Sequence, residues 1–209
     1  MASSTGSRLP VFVVTGTSGA GKGTLEQELL KRVGEVELAI SATTRERRPS
    51  EEEGVHYWYI SEEEFDRRLA AGEFLEHIVF PWGQRSGTLW SELDRIRAKG
   101  KAPLLDLEPN GALVVQARVP GTVTIFVTAP SFDELERRLR ERATESAGEI
   151  GERLALAREQ LEQAQECMYV ITNDDVPRAA GELVRIVKRE LEAAKTADTI
   201  SARDPSPYR

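Results

Sequence analysis

Residues 16–24 read Gly-Thr-Ser-Gly-Ala-Gly-Lys-Gly-Thr, a pattern suited to holding a chain of phosphates. The glycines let the backbone wrap closely around a polyanion, so that successive N–H groups point inward. Lys22 adds an ammonium that can reach the terminal phosphates. The run Val11-Phe12-Val13-Val14 ahead of the loop has the composition of a buried strand. Leu25, Leu29 and Leu30 behind it stand at helical spacing, and that helix would aim its positive N-terminal end at the same phosphates. Strand, glycine loop and helix in this order make a phosphate-binding P-loop. Gly23 occupies the position after the lysine where a metal-binding hydroxyl usually sits, and Thr24 carries the nearest one.

Three further groups bear chemistry. Arg45 and Arg48, in Thr-Thr-Arg-x-x-Arg-Pro with Tyr57 downstream, offer planar, permanently charged donors for a second phosphate. Read alone, the pair equally describes a solvated loop answering Glu51, Glu52 and Glu53. Arg138 and Arg142 share a helix face and Arg153 follows. They could cover a transferring phosphoryl group, or pair with Glu134, Glu136 and Glu141 as an ordinary charged surface. Asp106 closes the apolar run Leu104-Leu105, where an acid can hold Mg²⁺ or its water shell, or cap the next helix.

The elements that must position these groups alternate. Strands are predicted at 11–14, 36–40, 102–108, 122–127 and 169–172, separated by helices. Ser61 with Glu64, and Ser131 with Glu134, are capping boxes that open two of those helices. Strand-like runs at 55–60 and 74–80, with one helix between them, read as an insertion. The default architecture is α/β, a mostly parallel sheet with helices on both faces. Core segments at 9–40 and 89–195 are expected, with the insertion at 41–88 and a lid at 137–157. The end of the chain, 196–209 with Pro205 and Pro207, reads as a disordered tail.

The chain has 209 residues, 40% of them apolar, enough for one substantial domain. A net charge of -7 argues against non-specific binding to nucleic acid or anionic membrane. The single cysteine excludes an internal disulfide framework, and two histidines show no metal-ligand spacing. With no secretory signal or membrane-length apolar run, a cytoplasmic monomer or homodimer acting on small-molecule nucleotides is the expectation.

Taken together the motifs resemble the guanylate kinases, over about residues 11–191. The matching pieces are the loop at 16–24, Thr-Thr-Arg-x-x-Arg-Pro at 43–49, Gly-Val-His-Tyr at 54–57 and Gly-Glu-Phe-Leu-Glu at 72–76. Gly-Thr at 87–88, Pro-Ser-x-x-Glu-Leu-x-x-Arg-Leu at 130–139 and Asn-Asp-Asp at 173–175 continue the order. The resemblance implies a P-loop nucleotide kinase fold with a small acceptor-binding insertion and a helical lid, transferring the γ-phosphate of ATP to GMP with Mg²⁺. It places ATP on Gly16, Thr17, Ser18, Gly19, Ala20, Gly21, Lys22, Gly23, Thr24, Arg138 and Asn173. It places GMP on Ser41, Arg45, Arg48, Tyr57, Glu76, Thr88 and Glu108. Lys22, Arg142, Arg153 and Asp106 would carry catalysis, and Thr24 with Asp106 would serve the metal, directly or through water. Three departures gather on the acceptor side: Ser86 for the family's tyrosine, Glu108-Pro109-Asn110 for its Asp-x-Gln, and the loop at 80–85, from which Arg85 is expected to replace the lost phosphate contact. A related kinase with another acceptor, a nucleotide or ribose bisphosphate, and a non-catalytic interaction module are the alternatives.

Overall fold

The computed structural model describes residues 9–80, 83–142 and 147–203. In chain order, β1 (Phe12–Gly16), α1 (Lys22–Arg32) and β2 (Val36–Leu38) are followed by β3 (Ala42–Thr43), β4 (Trp58–Tyr59), α2 (Glu62–Ala70), β5 (Phe74–Val79) and β6 (Arg85–Leu89). Next come α3 (Trp90–Arg97), β7 (Ala102–Asp106), α4 (Pro109–Arg118), β8 (Val123–Thr128) and α5 (Phe132–Arg142). The chain closes with α6 (Ala147–Glu162), β9 (Tyr169–Thr172) and α7 (Val176–Arg203).

β1 is buried throughout because it is covered on both faces. Its alternate residues feed two cores: Phe12 and Val14 pack with Leu25, Leu29, Leu183 and Val187, while Val11 and Val13 pack with Leu93, Ile96 and Val115. Burying side chains of this size contributes roughly 1.5–3 kcal/mol each. The principal sheet runs β2-β7-β1-β8-β9, with every pairing parallel. β1 lies between β7 and β8, so the loops after β1 and β7 open at the same sheet end, where α/β proteins bind ligands. Among the described residues, no helix is long and apolar enough to cross a membrane.

A second sheet, in the order β4-β3-β6-β5, is built from residues 42–89. Its apolar face carries Ala42, Phe74 and Leu89 against Phe65 of α2, and the Phe65 and Phe74 rings stack at 4.4 Å. The Ser61 hydroxyl accepts the Glu64 N–H at 3.1 Å, as the capping box predicts. Buried Glu92 ties this sheet to the core. One carboxylate oxygen accepts from the Trp58 indole and the other from the Ile40 N–H, both at 3.0 Å, and Arg95 neutralises it.

Several expectations change. The strand expected at 55–60 shrinks to two residues, because Val55 N–H and His56 N–H both turn back onto the Glu52 carbonyl. β6 was not expected; its Arg-Ser-Gly-Thr-Leu is poor in strand formers, and pairing with β5 and β3 overrides that. The stretch 143–151, polar and carrying two glycines, reads in sequence as a connection, but Ala147 onward is helical. The disordered tail is corrected as well, since α7 continues to Arg203. Thr196 and Thr199 hydroxyls bond back to the Glu192 and Lys195 carbonyls, and Lys195 pairs with Glu35. Residues 204–209 of that expected tail lie outside the described residues.

Gly16 ends β1 with φ +146°, and a Cβ there would stand 2.0 Å from the Val127 carbonyl oxygen. The loop can leave the sheet only where its first residue has no side chain. Gly16→Ala is therefore expected to destabilise the protein by about 3 kcal/mol or more, read from the urea midpoint. A loss below about 1 kcal/mol would show that the β1–β8 approach is adjustable.

Candidate active site

Gly21 caps α1 from the left-handed region, φ +89°. Asn173, at the end of β9, braces this turn by donating its amide to the Ala20 carbonyl at 2.7 Å. A Cβ on Gly21 would come 2.5 Å from that amide nitrogen. Arg138 reaches the same corner and donates to the Asn173 carbonyl at 3.0 Å while pairing with Glu134 at 2.7 Å. Gly19, Gly21, Thr24, Arg138 and Asn173 thus border a cavity of about 260 Å³.

On the other side of the loop is a cleft of about 300 Å³, lined by Lys22, Ser41, Tyr57, Glu76, Asp106 and Glu108 among others. Lys22 Nζ makes one long bond, 3.3 Å, to the Gly16 carbonyl. Glu76 is the most enclosed acid of the cleft, 5% exposed. Its Oε1 accepts the Thr88 N–H at 2.8 Å, and the Thr88 hydroxyl adds a second bond. Burial pushes the Glu76 carboxyl up and the Thr88 bonds hold it down. Its Oε2 faces the first turn of α4, where a Cβ on Gly111 would lie 3.1 Å away. The helix can approach this carboxylate closely because residue 111 is glycine.

Around Lys22 stand three more acids. Burial raises Asp106, which opens into the cleft, and Glu108, and the Lys22 charge opposes both shifts. Glu26, one turn beyond Lys22 on α1, is 5% exposed with Oε1 unpartnered among the described residues. Burial first, then the Asp106 charge, push its carboxyl up to about 8.

Of the residues expected at an acceptor site, Ser41, Tyr57, Glu76 and Glu108 meet in the cleft. Thr88 is buried behind it and holds Glu76. Arg45 lies over the Tyr57 ring at 5.3 Å and pairs with Glu51 at 2.7 Å. That pairing pulls Glu51 down to about 2. The Arg48 side chain is exposed. Arg85 does not replace a phosphate contact: it stacks over Phe65 and pairs with Glu62 and Asp66, because β6 turns Ser86 rather than Arg85 toward the cleft. Thr24, in α1, borders the Arg138 cavity, and Asp106, at the end of β7, borders the cleft on the other side of the loop. Arg142 ends α5 and Arg153 lies within α6; their side chains fall outside the described residues. Two residues escaped the sequence reading, Glu26 and Gln160. Each is a polar residue on an otherwise apolar helix stripe, Glu26 beside Leu25 and Leu29, Gln160 three after Ala157, and that interruption is their signal.

A parallel sheet carrying a glycine loop and Lys22, with a second sheet facing the loop across a cleft, defines a P-loop kinase with separate donor and acceptor sides. The guanylate kinase family model matches residues 8–190. The guanylate kinase of Symbiobacterium thermophilum is 41% identical over 180 residues, covering 86% of this chain and 85% of its own. That of Desulfitobacterium hafniense is 42% identical over 180 residues, covering 86% and 90%. The crystal structure of guanylate kinase from Anaplasma phagocytophilum superposes with a TM-score of 0.69 at 28% identity, covering 87% of this chain and 86% of that one. This chain belongs to the guanylate kinase family.

The raised Glu26 has a thermodynamic consequence. Its folded-state pKa of about 8 exceeds the ordinary 4.5, so the folded protein holds a proton that the unfolded chain releases. Glu26 thus disfavours folding progressively as pH rises from about 4.5 to 8. Glu26→Gln should match the parent in stability near pH 5 and exceed it by on the order of 2–4 kcal/mol near pH 8, in denaturant titrations. An unchanging gap across that range would contradict the shift.

Proposed function

We propose that this protein transfers the γ-phosphoryl group of ATP to GMP, giving ADP and GDP. The observation that carries this reading is the buried Glu76 carboxylate, held by Thr88 in the same cleft that Lys22 enters. A carboxylate in that position accepts from both the ring N–H and the exocyclic amine of guanine. Adenine offers no such donor pair, and leaving a buried carboxylate unpaired costs about 1–3 kcal/mol or more. Ser41 and Thr88 complete the base site, and Arg45, Arg48, Tyr57 and Glu108 complete the acceptor side. Residues 16–24 with Arg138 and Asn173 hold ATP.

Catalysis is positioning and electrostatics, with a phosphate oxygen of GMP as nucleophile and no covalent intermediate on the protein. Lys22 stabilises charge on the transferring group, joined by Arg142 and Arg153 from a lid at residues 137–157. Closure excludes water and so prevents ATP hydrolysis.

Mg²⁺ fits the residues present. Asp106, Glu108 and Glu26 cluster around one ammonium, an arrangement that repels a bare polyphosphate and welcomes it with a cation. The Glu26 Oε1 is an orphaned buried oxygen, and hard-cation sites use one or two carboxylates plus phosphate oxygens. Asp106 would hold the ion, which when bound neutralises charge between the β- and γ-phosphates.

A related kinase with a sugar-phosphate acceptor leaves Glu76 without a base to read, and a non-catalytic module has no use for Lys22. ADP release with ATP and a panel of GMP, dGMP, AMP, CMP, UMP and ribose bisphosphate decides among them. GMP should exceed AMP in kcat/KM by about 10²-fold or more. Turnover with another acceptor alone, or with none, would overturn the reading. Glu76→Ala should lower kcat/KM for GMP by about 10²-fold while leaving the KM for ATP within about twofold. Equal losses toward both substrates would refute a base-reading role.

A further inference from the structure

Gln160 of α6 is 4% exposed and makes two bonds to opposite sides of the site. Its Oε1 accepts the Ser18 backbone N–H of the P-loop at 3.2 Å. Its Nε2 donates to Glu108 Oε2 at 2.5 Å. The amide orientation follows from chemistry: the Ser18 N–H can only donate, so the carbonyl must face it and the NH₂ must face Glu108. One buried side chain, bonded at both ends of its amide, therefore spans from the donor loop to an acid of the acceptor cleft. A buried amide without these partners would be costly, so loop and carboxylate each constrain where it sits. Gln163, in the 3₁₀ turn that follows α6, makes an exposed bond to Asn110 of α4, donating to its side-chain Oδ1 at 2.7 Å without touching Glu108.

We propose that Gln160 is a positioning residue coupling the two substrates: occupancy of the P-loop fixes Ser18, Ser18 fixes the Gln160 amide, and the amide fixes the Glu108 carboxylate for the acceptor. By linkage the effect is reciprocal, so the acceptor must tighten nucleotide binding by the same factor. This rests on the ATP:GMP reading and adds a role for a residue outside the sets assigned there to either nucleotide.

The test is calorimetric titration of GMP without and with a saturating non-hydrolysable ATP analogue and Mg²⁺. The subjects are the parent protein, Gln160→Met, which keeps length and loses both bonds, and Gln163→Ala, which loses only the exposed dock. The parent should bind GMP at least about fivefold more tightly with the analogue present. Gln160→Met should bring that ratio below about twofold, and Gln163→Ala should keep it near the parent value. Retained coupling in Gln160→Met, or equal loss in Gln163→Ala, overturns the proposal, the second by showing that lid docking alone is responsible. Hydrogen exchange on the parent needs no variant: GMP alone should slow exchange in the 16–24 loop, and unchanged exchange with GMP bound overturns the coupling. A parent that binds no GMP refutes the acceptor assignment itself, a result distinct from GMP binding without coupling.

Discussion

One ammonium stands among three carboxyl groups. Lys22 is the cation that opposes the upward shifts of Glu26, Asp106 and Glu108, and burial outweighs it at each. A lysine satisfied by a single strong pair would have no charge left for a phosphate. Here its one direct bond is a long one to the Gly16 carbonyl, and the acids compete for it without any of them closing on it. On the proposed function, such a centre would take a polyphosphate together with a divalent cation, which would balance its charge.

Topology brings this centre about. In the order β2-β7-β1-β8-β9, the loop after β1 and the end of β7 are neighbours, which places Lys22 beside Asp106 although 84 positions separate them in sequence (106 − 22). The close β1–β8 approach at Gly16 and the Asn173 brace at Ala20 set the loop's shape. Across the cleft, Glu92 fastens the second sheet to the core through Ile40 and Trp58, so Glu76 faces Lys22 from a defined direction. These are rigid-scaffold contacts supporting a site whose working parts are loops.

The parallel core was legible because its strands are covered on both faces and read as unbroken apolar runs, Phe12 to Val14 and Ile125 to Val127 above all. Capping signals at Ser61 and Ser131 were legible for a local reason, since the serine and its bonded N–H lie three residues apart. β6 was not, because Ser86-Gly87-Thr88 becomes a strand only through partners at Thr43 and Ile78. The direction of Arg85 followed from that same register and could not be read without it. Gln160 and Glu26 show in the sequence only as interruptions of apolar helix stripes; what each faces is set by the tertiary fold. Thr24 borders a different cavity from Lys22 and Asp106, a separation that adjacency to Lys22 in sequence does not show.

The central claim is that the buried Glu76 carboxyl group reads guanine through two donors at once. IMP keeps the ring N–H of GMP and lacks only its exocyclic amine, so the pair isolates one of the two bonds. Calorimetric titration should show IMP binding about 10- to 100-fold more weakly than GMP, since a buried carboxylate oxygen loses its partner. Equal affinity for the two nucleotides would contradict the account.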